Sequence, residues 1–173
     1  TLNGTLLKNS DASSSDEPEP LICSNSDDKV VAFNSNETMR ASSSNDNIVR
    51  LFESDDSRAF KTSAPDEADA YTITKVSFSP NSQIIGSINS ANVVRLWQPN
   101  GTLIKTLGGR ISDLSFSSDS QTIASASIDN VVKLRSLDGR ELKALKGHSS
   151  RVTSVSFSPD GELLASASLD NTV

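Results

Sequence analysis

One histidine stands in the 173 residues, His148, and downstream of it come Ser166, Ser168 and Asp170. These are the residue types of a hydrolytic triad, in which a carboxylate orients an imidazole that takes the proton of a serine nucleophile. Any such chemistry in this chain has to run through His148. A serine nucleophile also needs exposure on a sharp turn beside backbone donors for the oxyanion, and no GxSxG is present. Both serines lie instead in the alternating run Leu164-Ala165-Ser166-Ala167-Ser168, which reads as a strand. A structural role for the group therefore outweighs catalysis.

Other chemistries fare worse. Cys23 is the single cysteine, which excludes an internal disulfide and a CxxC site and suggests a buried thiol. One His and one Cys do not make a zinc site, and the acids at 11–19 lack the alternation and central Gly of a calcium loop. Gly108-Gly109 joins two strands rather than opening a helix, so it is no phosphate cradle. No metal and no cofactor are expected. The formal charge of -6 is local: Asp11, Asp16, Glu17, Glu19, Asp27 and Asp28 stand in residues 9–28 with no base among them, and the rest of the chain balances. Without a concentrated basic face, nucleic acid is not an expected partner. No run of 18 apolar residues and no charged-then-apolar leader is seen, so no membrane span or signal peptide is expected and the cytoplasm is the expected location.

The elements that must hold these residues are set by a repeat. Residues 31–49, 76–94, 114–132 and 155–173 align without a gap, each opening on an apolar residue, a spacer and a phenylalanine: Phe33, Phe78, Phe116 and Phe157. The spacings between these phenylalanines are 45, 38 and 41 residues, the length of one four-stranded blade or one helical pair. Thirteen residues after each comes Asp46, Ala91, Asp129 or Asp170. Inside the units apolar residues alternate, β-branched and Ser residues are frequent, and no amphipathic stripe of helical length occurs, so each unit is predicted to be a meander of strands a to d. In the last units, strand a is expected near 152–158, strand b near 163–168, strand c from 171, and strand d at 141–145.

Turn chemistry agrees. Asn36-Glu37, Asn81-Ser82, Asp119-Ser120 and Asp160-Gly161 fall at one position of the repeat, and Asn3-Gly4, Asn100-Gly101 and Asp138-Gly139 at another. Asn, Asp and Gly tolerate the positive φ that tight turns require. The stretches 9–28, with Pro18 and Pro20, and 63–70, with Pro65, read as surface excursions.

The phrases Gly147-His148, Val155-Ser156-Phe157-Ser158-Pro159-Asp160-Gly161, Leu164-Ala165-Ser166-Ala167-Ser168 and Asp170-Asn171-Thr172-Val173 together resemble the WD-repeat (WD40) β-propeller family. The likeness is strong over residues 73–173 and weaker over 29–62. It implies an all-β propeller segment of about four blades of four-stranded antiparallel sheet, part of a larger ring of about seven. The units are then an orphan outer strand d at 1–8, an acidic Ser-rich loop at 9–28, a divergent blade at 29–62, blades at 73–107 and 110–146, and an incomplete blade at 147–173. The resemblance also implies a buried hydrogen-bonded set: His before strand a, Ser or Thr on strand b, Asp in the b–c turn and Trp on strand c. Here His148, Ser166 or Ser168 and Asp170 supply three members. Trp97 has Ala91 in the Asp position, Asp129 has Arg135 in the Trp position, and Asp46 has Phe52 there. A half-filled polar network is costly, so the first three units are expected to be the less stable ones.

Thr1 to Lys8 match residues 98–105, a c–d turn and strand d, which suggests a piece of a longer array; self-association of copies is the other way to finish a ring. Lys8, Lys61, Lys105 and Lys143 recur on strand d as a cationic edge that discourages sheet pairing, and Arg50, Arg95 and Lys133 recur on strand c as cover for its polar face. Arg110 and Arg151 share a position before strand a, filled by Asp27 and Thr72 earlier, and are the candidate contacts to a partner. The function the resemblance implies is a non-enzymatic scaffold that holds other proteins. The alternative is a regulatory or sensor module of a larger signalling or enzyme polypeptide.

Overall fold

The computed structural model describes residues 30–43, 48–53, 56–61 and 71–173, and among these it is all-β. Fourteen strands follow in chain order, beginning with β1 (Val30–Phe33), β2 (Met39–Ser43), β3 (Ile48–Glu53) and β4 (Asp56–Lys61). The second unit holds β5 (Ile73–Phe78), β6 (Ile85–Asn89), β7 (Val94–Trp97) and β8 (Leu103–Leu107). The third holds β9 (Ile111–Phe116), β10 (Thr122–Ser127), β11 (Val132–Ser136) and β12 (Glu141–Leu145), and the fourth holds β13 (Val152–Phe157) and β14 (Leu164–Ser168). Each unit is a meander: three sheets of four strands and one of two, with consecutive strands antiparallel neighbours. Among the described residues no helix is long and apolar enough to cross a membrane.

The turns lie where predicted, but in three of the four a–b turns the positive φ falls on the residue after the Asn or Asp. Glu37, Ser82 and Ser120 take φ of 57°, 59° and 59°, and Gly161 takes 78° at the same position. Gly101 and Gly139 sit at φ 88° and 87°, values that a side chain resists and glycine accepts. At the first of these positions an Asn or Asp side chain then closes the turn. The Asn81 and Asp119 oxygens accept from the backbone N–H two residues on, at 3.1 and 2.9 Å. Strand d of the third unit lies at the predicted residues. The strand expected from 171 is not formed there, because Asn171 and Thr172 complete the b–c turn. Asn171 N–H donates to the Ser168 carbonyl at 3.2 Å, and Ser168 N–H donates to the Thr172 carbonyl at 3.2 Å.

Alternation on each strand gives every sheet two apolar faces, so the sheets stack with a core between each neighbouring pair. Ala41, Val49 and Leu51 of the first sheet meet Ile73, Val76, Phe78, Ile85 and Trp97 of the second. On the other face of the second sheet, Ile88, Val94 and Leu96 meet Ile111, Leu114, Phe116 and Ile123 of the third. Ala124, Ala126 and Val132 then meet Val152 and Val155 of the fourth. The first strands of the units, β1, β5, β9 and β13, pack against one another in that order. A small residue is needed where the next sheet's first strand presses in. A Cβ on Gly86 would lie 3.0 Å from Leu114 Cδ2, and Ala41 and Ala124, fully buried, hold the same place in their sheets. The regions 1–29, 44–47, 54–55 and 62–70 lie outside the described residues, and with them the expected strand at 1–8, the acidic loop, Asp46, Asp27 and Cys23.

Candidate functional site

The loop 146–151 between β12 and β13 carries His148 over the end of the last sheet. Its Nε2 lies 2.8 Å from the Ser166 hydroxyl on β14, and its Nδ1 lies 3.1 Å from Asp170 Oδ2 and 3.1 Å from the Thr172 hydroxyl. Asp170 also accepts from the Ser149 N–H at 2.8 Å, the Thr172 N–H at 3.0 Å and the Thr172 hydroxyl at 2.6 Å. The Thr172 hydroxyl leads these donors in holding the Asp170 carboxyl far below the usual carboxylate range. The group is mostly enclosed: the His148 and Asp170 side chains are 13% and 8% exposed. The structure separates the two serines that sequence left as alternatives. Ser166 is the partner of His148, whereas the Ser168 hydroxyl donates to the carbonyls of Ser150 and Arg151, both at 3.0 Å. The connectivity Asp170–His148–Ser166 is that of a triad, but Ser166 stands in the middle of an extended strand rather than on a strand-to-helix elbow.

The other units solve the same problem differently. In the second, Trp97 on β7 donates through its indole N–H to the Ser87 hydroxyl at 2.9 Å, and Ser87 occupies the place of Ser166. In the third, the loop 108–110 is shorter and carries no histidine. Arg135, in the place of Trp97, donates to the Gly108 carbonyl at 3.2 Å, and the Ser127 hydroxyl donates to the Gly109 carbonyl at 2.7 Å. Asp129 is exposed and its carboxylate bonds to no described residue, because nothing in the short loop reaches it. It is therefore not a working member of a hydrogen-bonded set. In the first unit Arg40 stacks on Phe52, 4.2 Å from the ring centroid.

A second polar group was not singled out from the sequence. Asp113 on β9 is 4% exposed and joins three sheets. It takes an ion pair from Lys75 on β5, a hydrogen bond from the Ser154 hydroxyl at 2.8 Å, and one from the Val155 N–H at 3.0 Å. Two residues on, the Ser115 hydroxyl oxygen accepts from the Phe157 N–H at 3.1 Å. The signal was available: Lys75, Asp113 and Ser154 hold one repeat position, so a base, an acid and a hydroxyl stand in successive units. Reading each unit alone hides this, because the bonds run between units.

Of the candidate contacts, Arg110 is exposed with φ 49°, and its side chain makes no hydrogen bond or ion pair with a described residue. Arg151 is half-buried, and its Nε donates to the Ser112 hydroxyl of the neighbouring sheet at 3.2 Å. Arg151 thus ties two sheets together. Lys105 and Lys143 are exposed on β8 and β12, the outer strands, as expected. Arg95 is buried instead, 3% exposed, between apolar neighbours on β7. Among the described residues no cluster of His, Cys, Asp and Glu is arranged to hold a metal ion.

Comparison with curated proteins returns no match. The family model of the WD domain, G-beta repeat, matches residues 101–136, which run from the c–d turn and β8 of the second unit through β11 of the third, and residues 139–173, which hold β12 and the fourth unit. The stacked meanders, the His148–Ser166–Asp170 set and these two matched stretches agree, and residues 101–136 and 139–173 are WD repeats.

Proposed function

We propose that the chain is a non-enzymatic scaffold that presents rigidly held loop side chains to other proteins. WD repeats generally mediate protein–protein interaction. The observation that carries the reading is a backbone bond repeated at the entrance of three successive first strands. Ser90 N–H donates to the Thr72 carbonyl at 2.8 Å, Ile128 N–H to Arg110 at 3.2 Å, and Leu169 N–H to Arg151 at 3.0 Å. These bonds pin the backbone beneath Arg110 and Arg151, so an arginine anchor on this edge loses little backbone freedom on binding. On this reading the polar groups of His148, Ser166 and Asp170 are occupied by one another, and the partners are proteins rather than nucleic acids.

Two measurements test it. Affinity capture by the chain is expected to lose specific proteins in the Arg110→Ala/Arg151→Ala variant, and also in Arg110→Ala alone, which breaks no bond between sheets and leaves the unfolding midpoint unchanged. Equal capture by all three forms contradicts placing the partner there. A serine-directed fluorophosphonate is expected to leave Ser166 unlabelled, and labelling at Ser166 contradicts the non-enzymatic reading.

A further inference from the structure

At the opposite ends of the same strands, a cleft of about 810 Å³ opens between the a–b turns of the first and second units and the c–d turn of the second. Its size falls in the range of small-ligand and peptide pockets. Among the described residues that line it there is no Asp, Glu, Lys or Arg. Asn36, Asn81 and Asn100 line it, and each has its carboxamide oxygen already engaged. Asn36 Oδ1 accepts from the Thr38 hydroxyl at 2.8 Å, Asn81 Oδ1 from the Gln83 N–H at 3.1 Å, and Asn100 Oδ1 from the Thr102 N–H at 2.9 Å. The oxygen ends being fixed by these donors, the three Nδ2 groups are left as donors without partners among the described residues. Met39, Ile84, Pro99 and Ile104 supply the apolar lining.

The next junction shows what this cleft is not. There Leu137 holds the place of Pro99 and packs against the core cluster that contains Ile84. Asp119 and Asp138 hold the places of Asn81 and Asn100. The Ser117 and Ser136 hydroxyls, donating to these carboxylates, are the first causes holding them below the ordinary range and thus ionised. One junction is filled and acidic, whereas the other is open, neutral and rich in donors.

We propose that the cleft binds an extended, uncharged peptide segment of a partner protein. Its backbone carbonyls accept from the carboxamides of Asn36, Asn81 and Asn100, and its apolar side chains rest on Met39, Ile84, Pro99 and Ile104. A carboxylate or phosphate would find donors but no cation among the described lining residues. The inference rests on the scaffold reading and adds a second site and a chemical class of partner.

The probe is a random-peptide display library panned on the folded chain. Enriched peptides are expected to be uncharged and apolar. Their affinity is expected to fall about tenfold in Asn81→Asp/Asn100→Asp, as two donors become carboxylates facing peptide carbonyls, and to fall similarly in Pro99→Leu. The Asp substitutions copy turns that the third unit already folds, so their loss of binding is not a loss of fold. The Arg110→Ala/Arg151→Ala variant is expected to bind these peptides unchanged. Enrichment of acidic peptides whose binding is lost in the Arg variant, or no enrichment at all, overturns the proposal. The scaffold reading then still stands or falls on protein capture.

Discussion

Ser42 in the first unit and Ser166 in the fourth hold the same position on the second strand, and they fare differently. Ser166 receives the imidazole of His148 at 2.8 Å. The Ser42 hydroxyl is fully buried and has no hydrogen-bond partner among the described residues, because Phe52 stands where Trp97 stands one unit later. Between these extremes, Ser87 is served from the third strand by Trp97 at 2.9 Å, and Ser125 turns to the Lys133 carbonyl at 3.2 Å. Where the hydroxyl at this position is satisfied, its partner comes from a loop, a neighbouring strand or the backbone. Among the described residues the hydroxyl at this position lacks a partner at Ser42, whereas the second and third units supply one in other ways. The family's polar set acts as a means of satisfying a buried hydroxyl.

The largest way to break the comparison is Trp97→Ala, which removes a 4% exposed ring from the core between the first two sheets and strands Ser87. A loss of about 3–5 kcal/mol is expected by urea unfolding. His148→Ala removes the link from Ser166 to Asp170 and is expected to cost about 1–3 kcal/mol, measured in the same way. The comparison sharpens with the serines themselves. Ser87→Ala and Ser166→Ala are each expected to cost about 1 kcal/mol, whereas Ser42→Ala is expected to be neutral or stabilising by up to about 1 kcal/mol, because it deletes an unpaired buried hydroxyl.

The smallest effect is a pH dependence confined to one half of the molecule. The turns of the third and fourth units use Asp119, Asp138 and Asp160, all held below the ordinary carboxyl value of 3.8, first by serine hydroxyls. A carboxyl lowered in the folded state contributes stability that is fully present above 3.8 and is lost as the pH falls below it. Asn36, Asn81 and Asn100 hold the matching places in the first two units and do not titrate. Stability measured from neutral pH down through this window is expected to fall, and to fall less steeply in Asp119→Asn/Asp138→Asn/Asp160→Asn.

Much of the fold was legible because its signals are local. The phenylalanine spacing gave the unit, the alternation gave the strands, and the Asn, Asp and Gly positions gave the turns, although the positive φ falls on Glu37, Ser82 and Ser120 rather than on the Asn or Asp before them. The polar set around His148 was legible as a group, but the choice between Ser166 and Ser168 was not, since two serines of equal parity on one strand differ only in distance from the loop. What stayed hidden lies between units. The Lys75–Asp113–Ser154 linkage and the open cleft beside Pro99 depend on which side chains of successive sheets face one another, and no periodicity within a single unit reports that.

The central claim is that His148 and Ser166 are partners in holding the sheet together. A double-mutant cycle of His148→Ala and Ser166→Ala, read by urea unfolding, measures their interaction directly. The account predicts a coupling of about 1 kcal/mol, with each single variant destabilised. Single variants as stable as the parent, with no coupling between them, would contradict it.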